Sequence, residues 1–197
     1  PAAHPAPPWL AAYAPDKLAA GIKQTLRFFD RAVREWIAAK GYHEFFIHEP
    51  GMLCLIRKFF QHYGAWSPAD EQAFKKLLLH MGRTVYPVGK PLHFYRGPHH
   101  RPMGEANLKR LVVALYPESP EAKEWERYTQ LQWHDFWDYR DSPMNAINYF
   151  HNQVWHILMA GVLLDKKEVF TDAEMRSFWD RLIHTTTPDG AIVPFGP

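Results

Sequence analysis

Helical periodicity dominates this sequence and limits the folds open to it. From Asp16 onward, apolar residues recur at three- and four-residue steps, in the series Leu18, Ile22, Leu26, Phe29, Val33 and Ile37. That spacing places the apolar side chains on one face of an α-helix. The same kind of pattern predicts further helices at about 51–63, 68–81, 103–116, 119–138, 143–164 and 171–186. No segment of convincing length alternates as a β-strand does, so the predicted fold class is all-α.

Serine–proline pairs mark the turns between several of these helices. Ser67-Pro68, Ser119-Pro120 and Ser142-Pro143 each place a capping serine before a proline suited to the first helical position. Seven helices joined mostly by short turns predict antiparallel neighbours, that is, stacked helical hairpins. Residues 1–15 carry five prolines and are predicted to be an irregular lead-in, with residues 16–197 forming a single helical domain. Because the chain starts without methionine, we expect it to be part of a longer protein.

Charge, hydropathy and cysteine content argue against several function classes. The 23 Lys and Arg residues nearly balance 21 Asp and Glu residues, and the sequence shows no dense basic stripe, so no nucleic-acid partner is predicted. No apolar run approaches the roughly 20 residues that cross a bilayer, so no membrane partner is predicted. Cys54 is the single cysteine, which excludes an internal disulfide, and its apolar neighbours predict a buried, inert thiol.

A long segment rich in Gly and Pro, from Gly82 to Gly104, is the first candidate site. Loops of this length inside a compact domain are usually functional or disordered. Its centre reads Tyr95-Arg96-Gly97-Pro98-His99-His100-Arg101-Pro102. Two adjacent imidazoles flanked by two guanidiniums can bind an anion, and the positive field favours the neutral imidazole that a general base needs. The alternative is a solvated loop whose His and Arg side chains cap neighbouring helix ends.

A polar stripe on the helix after residue 143 is the second candidate. Its members are three or four residues apart, and they are Asn145, Asn148, Tyr149, Asn152 and His156. Side-chain amides can serve as hydrogen-bond partners of a ligand. A solvated or capping helix face is the alternative interpretation of the same stripe.

Aromatic and histidine clusters give weaker signals. One aromatic group could form a sugar-stacking platform, but helical spacing favours a role in the core for its members, Trp125, Tyr128, Trp133, Phe136, Trp137 and Tyr139. The histidine pairs His43 with His48 and His151 with His156 lack the spacing of two helical zinc ligands. The sequence therefore predicts no metal site and no cofactor.

The order of these features resembles the helical toroid domain of the heparinase II/III-like and alginate-lyase-like polysaccharide lyases. The similarity covers about residues 82–197. It rests on the loop Tyr95–His100, the helix end Leu115-Tyr116-Pro117, the turn Asp138-Tyr139-Arg140-Asp141-Ser142, the helix bearing Tyr149 and the closing run Thr187–Gly196. The resemblance implies stacked antiparallel helical hairpins in an incomplete α/α toroid, which a C-terminal part of the same protein would complete. It also implies a periplasmic or secreted location.

The chemistry implied by the resemblance is β-elimination on a uronic-acid-containing polysaccharide, which makes an acidic polysaccharide or oligosaccharide the expected partner. His100 or His99 corresponds to the family's loop histidine, and Tyr149 corresponds to its helix-borne tyrosine. Arg96, with Arg101 as the alternate, would neutralise the uronate carboxylate, or Asn145 would do so. The other expected substrate contacts are Tyr95, Tyr139, Arg140, Asn148 and His156.

Two other functions remain open from the residues alone. The first is a toroidal glycoside hydrolase that works through Asp141 or Asp189, because both acids sit near turns. The second is a helical carbohydrate-binding or scaffolding domain that binds glycans without turning them over.

Overall fold

The computed structural model describes residues 15–40, 49–84, 100–140 and 147–184, together with Thr186 and Pro188. The described elements are helices, and no β-strand occurs among them, which confirms the all-α prediction. They are α1 Pro15–Lys40, α2 Glu49–His62, α3 Pro68–Thr84, α4 His100–Leu115, α5 Ala122–Asp138, α6 Ile147–Leu163, α7 Glu168–Thr171 and α8 Ala173–His184. None of these helices is both long and apolar enough to span a membrane.

The chain forms two compact units, residues 1–89 and residues 90–197. The first unit contains α1, α2 and α3, and its core is formed by Ile22, Leu26, Val33, Leu53, Phe74, Leu77, Leu78 and Met81. Glu71 on α3 accepts two hydrogen bonds, of 2.8 and 2.9 Å, from the guanidinium of Arg57 on α2. Cys54 is partly buried rather than fully buried as predicted, and burial raises the pKa of its thiol to about 11, which disfavours the reactive thiolate.

The start of α3 has the cap that the sequence predicts. The main-chain N–H of Asp70 donates to the Ser67 hydroxyl at 3.2 Å, and the N–H of Ser67 donates to the Asp70 carboxylate at 3.0 Å. This reciprocal pair satisfies two donors that a helix start leaves open, as in a capping box.

The second unit is built around α4. Residues 102–108 of this helix are all buried, so the helix is covered on every side along this stretch. Helix α5 runs antiparallel to α4, because Arg110 pairs with Glu126 near the start of α5 while Lys109 lies over the ring of Tyr128 further along α5. The core shared with α6, α7 and α8 contains Met103, Trp133, Phe136, Ile157, Ala160, Val169, Met175 and Phe178.

Helix α6 lies against α4 in the parallel direction. Asn107 donates to the main-chain oxygen of His156 at 2.9 Å, and the Arg110 Nε donates to the main-chain oxygen of Leu163 at 3.0 Å. Later residues of α4 thus contact later residues of α6. Both helices begin at the same end of the unit.

The long loop predicted from Gly82 to Gly104 is wrong at both ends. Helix α3 continues to Thr84, and α4 begins at His100 rather than near Met103. Pro102 is tolerated in the first turn of α4, because the N–H that proline lacks has no intrahelical acceptor there. Residues 85–99 lie outside the described part of the chain, as do residues 1–14 of the predicted lead-in.

Two further helix boundaries differ from the predictions. Ser119 does not cap α5; its N–H donates to the Tyr116 oxygen at 3.0 Å within a turn, and the helix begins at Ala122. The predicted helix 171–186 corresponds to α8, which begins at Ala173, and the short helix α7 before it was not predicted. Asp172 separates the two helices, and its carboxylate accepts the N–H groups of Glu174 and Met175 at 3.1 Å. A side-chain cap within a helical pattern starts a new helix. The described part of the chain therefore contains eight helices rather than seven. Ser142-Pro143 lies outside it.

Candidate functional site

Three helix ends lie at the same end of the second unit. Because α5 is antiparallel to α4, its last turn lies beside the start of α4, and because α6 is parallel to α4, its first turn lies there too. We call this region the His100 end and define it by His100, Tyr139, Arg140 and Tyr149. His100, Tyr139 and Tyr149 belong to three separate candidate groups of the sequence analysis, and Arg140 belongs to the turn on which the resemblance rests. The topology brings them to the same end.

The register between α4 and α6 follows from one buried hydrogen bond. Asn107 on α4 bonds to the main-chain oxygen of His156 on α6. His100 precedes Asn107 by seven residues, and Tyr149 precedes His156 by seven residues. At 1.5 Å per residue, each lies about 10.5 Å, or two turns, before the bonded pair. His100 and Tyr149 therefore lie toward the same end of the two parallel helices.

The structure describes part of the predicted set. His100 and Arg101 form the first residues of α4, and Asn148 and Tyr149 lie in the first turn of α6, where the backbone is described but the side chains are not. The remaining predicted residues of the loop and the turn lie outside the described part, namely Tyr95, Arg96, His99 and Asn145. The two acids of the hydrolase alternative, Asp141 and Asp189, also lie outside it.

Tyr139 and Arg140 follow α5 directly and have different surroundings. Tyr139 is 59% exposed and is available to an external ligand. Arg140 is largely buried, and its guanidinium donates to Asp172 at 3.0 Å and forms a second ion pair with Glu174 at 2.5 Å. It also lies 4.5 Å from the ring centre of Trp137. Arg140 therefore joins the end of α5 to the start of α8, and these contacts occupy much of its donor capacity.

His156 is buried rather than facing an open surface. It is 1% exposed, and its main-chain oxygen receives the Asn107 bond described above. It lies two turns from the start of α6, where a polymer at the His100 end would not reach it. This placement favours a packing role for His156 over direct contact with substrate.

The aromatic cluster on α5 belongs mainly to the core, as the sequence favours. Trp125, Tyr128, Trp133 and Phe136 are buried. Trp137 is partly buried and stacks on Trp133 with ring centres 5.5 Å apart. Only Tyr139 among the six predicted aromatic residues is exposed, which leaves one ring rather than a platform.

A small, mainly apolar cavity lies between the helices of the second unit, lined by residues of α4, α5 and α6 together with Leu164. Its volume is about 10 Å³, and its polar lining comes from Asn107, Arg110, Thr129 and Gln132. A volume of this size is at the lower limit for one water molecule. A sugar ring cannot enter a cavity of this size.

Sequence and structure comparisons identify no relative. Comparison with family models, with curated proteins and with solved structures finds no match. Functional roles therefore rest on the residues themselves, and the resemblance to polysaccharide lyases stays a prediction.

Glu105 is a buried acid that the sequence analysis did not identify. It lies on α4, is 4% exposed, and forms an ion pair with Lys109 and a side-chain hydrogen bond with Tyr128. Burial raises its pKa to about 7, although Lys109 opposes the shift. Acids with pKa values near neutrality are common at functional sites. In the sequence, Glu105 and Lys109 form an ordinary i,i+4 pair, which is typical of an exposed helix face and gives no sign of burial.

Metal chemistry has no support in the described residues. No group of three or more His, Cys, Asp or Glu side chains is arranged there to hold an ion. The candidate histidines His43 and His48, and the side chain of His151, lie outside the described part.

Proposed function

We propose that this chain is the helical part of a polysaccharide lyase that cleaves uronic-acid-containing glycans by β-elimination. The observation that carries the proposal is the parallel packing of α4 on α6, with the register set by Asn107 and His156. It brings His100 and Tyr149, which are 49 residues apart in sequence, to the same end of the unit. The resemblance to lyases assigns the proton transfers to this histidine and this tyrosine.

The reaction needs three functions at the sugar ring. A base removes the C5 proton, the C4–O bond breaks, and a double bond forms between C4 and C5 as the leaving oxygen takes a proton. His100, or His99, is the proposed base, and Tyr149 is the proposed proton donor. Arg101 or Arg96 would neutralise the carboxylate on C5, because negative charge develops there as the proton leaves. Asn148 in the same turn as Tyr149 would add an amide hydrogen bond, and Asn145 is the alternate group.

The arrangement of α4, α5 and α6 supports an incomplete α/α toroid. In a ring of helical hairpins, consecutive helices are antiparallel and every second helix runs in the same direction. Helix α5 is antiparallel to α4, and α6 is parallel to it. Burial of α4 on all sides over residues 102–108 agrees with an inner position in such a ring.

Tyr139 is the proposed substrate contact at the end of α5. It is an exposed aromatic residue at the His100 end, and a phenol ring can both stack on a sugar and donate a hydrogen bond. Arg140 holds this segment through its pairs with Asp172 and Glu174, so we assign it a positioning role. His156 is left out of the proposed contacts because it is buried.

The test is a lyase assay on the full-length protein. Alginate, heparan, chondroitin, hyaluronan and ulvan are incubated with it while the ultraviolet absorbance of the unsaturated uronate is followed. We expect absorbance to rise with at least one glycan, and to stop rising in His100→Ala and in Tyr149→Phe. The matched controls are His134→Ala, an exposed histidine on α5, and Tyr63→Phe in the first unit, which should retain the activity.

The other outcomes identify the competing functions. New reducing ends without ultraviolet absorbance would replace the proposal by hydrolysis, with Asp141 or Asp189 as the next residues to substitute. Glycan binding without any product would replace it by a binding module. Activity that survives both His100→Ala and Tyr149→Phe would remove these residues from the mechanism.

A further inference from the structure

An exposed face of α1 combines cationic side chains with an aromatic ring. The face borders an open concavity of about 720 Å³. Its described lining residues are Ala20, Lys23, Gln24, Arg27, Phe28 and Arg31. All six are exposed, and Phe28 keeps 52% of its surface accessible although it is a large apolar side chain.

The cations on this face are regularly spaced and largely available. Lys23, Arg27 and Arg31 follow one another at four-residue steps, which is about 6 Å along a helix. Among the described residues, neither Lys23 nor Arg27 makes an ion pair. Arg31 approaches Glu35 at 3.8 Å, but both side chains remain at least 70% exposed, so this contact is weak.

A second concavity extends the cationic surface toward α3. Its volume is about 220 Å³, it shares Arg27 with the first concavity, and it adds Arg34 and Lys76. Asp30 is the one acidic residue among the described lining residues of the two concavities, and it pairs with Arg34 at 2.8 Å. Burial is the largest cause that lowers the pKa of His80 on α3; the charge of Arg34 lowers it further, and the charge of Asp30 opposes the shift.

This surface qualifies one conclusion of the sequence analysis. The sequence shows no dense basic stripe because three apolar or polar residues separate each cation from the next. Helical geometry places residues four apart on one face, so Lys23, Arg27 and Arg31 form a stripe after folding. Net charge alone, at +2, gives no sign of it.

We propose that the stripe Lys23–Arg27–Arg31, together with Phe28, is a binding site for an acidic polysaccharide chain, separate from the His100 end. The inference takes its ligand class from the proposed function. A polyuronate carries one carboxylate on each sugar, which suits a row of cations at regular steps. The apolar face of a sugar ring can pack on an exposed aromatic ring such as Phe28. A polymer that contacts several weak sites at once is held more tightly than a single sugar.

The experiment is equilibrium binding of alginate oligosaccharides of defined length to the full-length protein. It uses the His100→Ala background, so the ligand is not consumed. The test variant is the triple change Lys23→Gln, Arg27→Gln and Arg31→Gln, which keeps good helix-forming residues. The matched control removes the same charge at exposed positions of the second unit, by Lys123→Gln, Arg127→Gln and Arg176→Gln. Phe28→Ala tests the ring separately.

We expect the triple variant to bind roughly tenfold more weakly at low salt, since three exposed ion pairs of modest strength are lost. The control triple should bind as the parent does, a neutral glucan should not bind, and affinity should fall as salt is added. Equal binding by both triple variants would overturn the proposal. Tighter binding of single-stranded DNA, lost in the same variant, would replace the polysaccharide by a nucleic acid.

This binding test is independent of the lyase assay. If no glycan is cleaved but the stripe binds alginate as described, the proposed reaction fails and the binding site stands. If a glycan is cleaved and the triple variant binds it normally, the reaction stands and the site on α1 is wrong.

Discussion

The side-chain amide of Asn107 on α4 donates a hydrogen bond of 2.9 Å to the main-chain oxygen of His156 on α6. Both residues are buried, and they are 49 positions apart in the chain. This bond sets how far α6 is shifted along α4, and thereby where His100 and Tyr149 lie relative to each other. Asn107 acts on the proposed reaction through this register and is a positioning residue.

Replacing Asn107 should lower the stability of the protein and change the relative positions of the residues at the His100 end. Asn107→Ala removes one buried hydrogen bond, and we expect a loss of about 1 to 2 kcal/mol in the free energy of unfolding. Urea unfolding measures it, with Gln72→Ala on the exposed face of α3 as the control. Lyase activity should fall more than the fraction of unfolded protein explains. A variant with full stability and full activity would contradict this role.

Glu105 should make stability depend on pH near neutrality. Its pKa in the folded protein is about 7, above the ordinary value of 4.5, because burial disfavours the charged form. The folded state therefore holds this proton more tightly than the unfolded state, and stability is lost as pH rises from about 4.5 through about 7. Complete ionisation of Glu105 lowers the free energy of unfolding by about 3 kcal/mol. The positive charge of Lys109 and the hydrogen bonds of Lys109 and Tyr128 to the Glu105 carboxylate oppose the shift.

Glu105→Gln tests this pH dependence, since glutamine imitates the neutral acid. We expect the difference between the unfolding free energies at about pH 5 and about pH 8 to be smaller in the variant than in the parent. Glu124→Gln on the exposed side of α5 should keep the parent's pH dependence. If the unfolding free energy of Glu105→Gln changes with pH as much as that of the parent, another group causes the pH dependence.

Arg140 should contribute to stability at the junction of α5 and α8. Its hydrogen bond is the largest cause that holds the pKa of Asp172 below its ordinary value of 3.8. The paired carboxylate stabilises the fold above that ordinary value, and this contribution is lost as pH falls through the lowered pKa. Arg140→Gln should therefore lower the melting temperature at neutral pH and reduce the pH dependence of stability in acid.

Arg127→Gln is the control for Arg140, because it removes the same charge from an exposed position of α5. It should leave the melting temperature unchanged. If Arg140→Gln instead melts like the parent but binds oligosaccharide more weakly, Arg140 contacts substrate as the lyase resemblance implies.

Phe136 is expected to be among the most important core residues of the second unit. It lies on α5 and is fully buried in the core that α5 shares with α4 and the later helices. Phe136→Ala should cost about 3 to 5 kcal/mol of unfolding free energy, because it removes apolar contacts and leaves a cavity. Phe170→Ala, at an exposed phenylalanine of α7, should change it little. Similar losses in both variants would show that the assigned core is incorrect.

Local sequence signals predicted most helices well and their ends less well. The Ser67 cap and α1 follow from nearby residues alone, and both are confirmed. Ser119 has the same sequence signal as Ser67, yet its chain segment forms a turn with Tyr116 instead of a cap. Asp172 moves the start of α8 to Ala173, because its carboxylate accepts hydrogen bonds from main-chain N–H groups and from Arg140. Competing partners decide such positions, and a pattern of spacing does not contain them.

The sequence by itself determined that this protein is all-α, which segments are helical, and which aromatic residues favour the core. These properties depend on periodicity and capping within a few neighbouring residues. Only the tertiary structure decided that Glu105 is buried, that Arg140 is paired, that α6 is parallel to α4, and that three cations of α1 share an open face. The physical reason is that burial and pairing arise between groups far apart in sequence: Asn107 and His156 meet across 49 positions, and no local pattern records that contact.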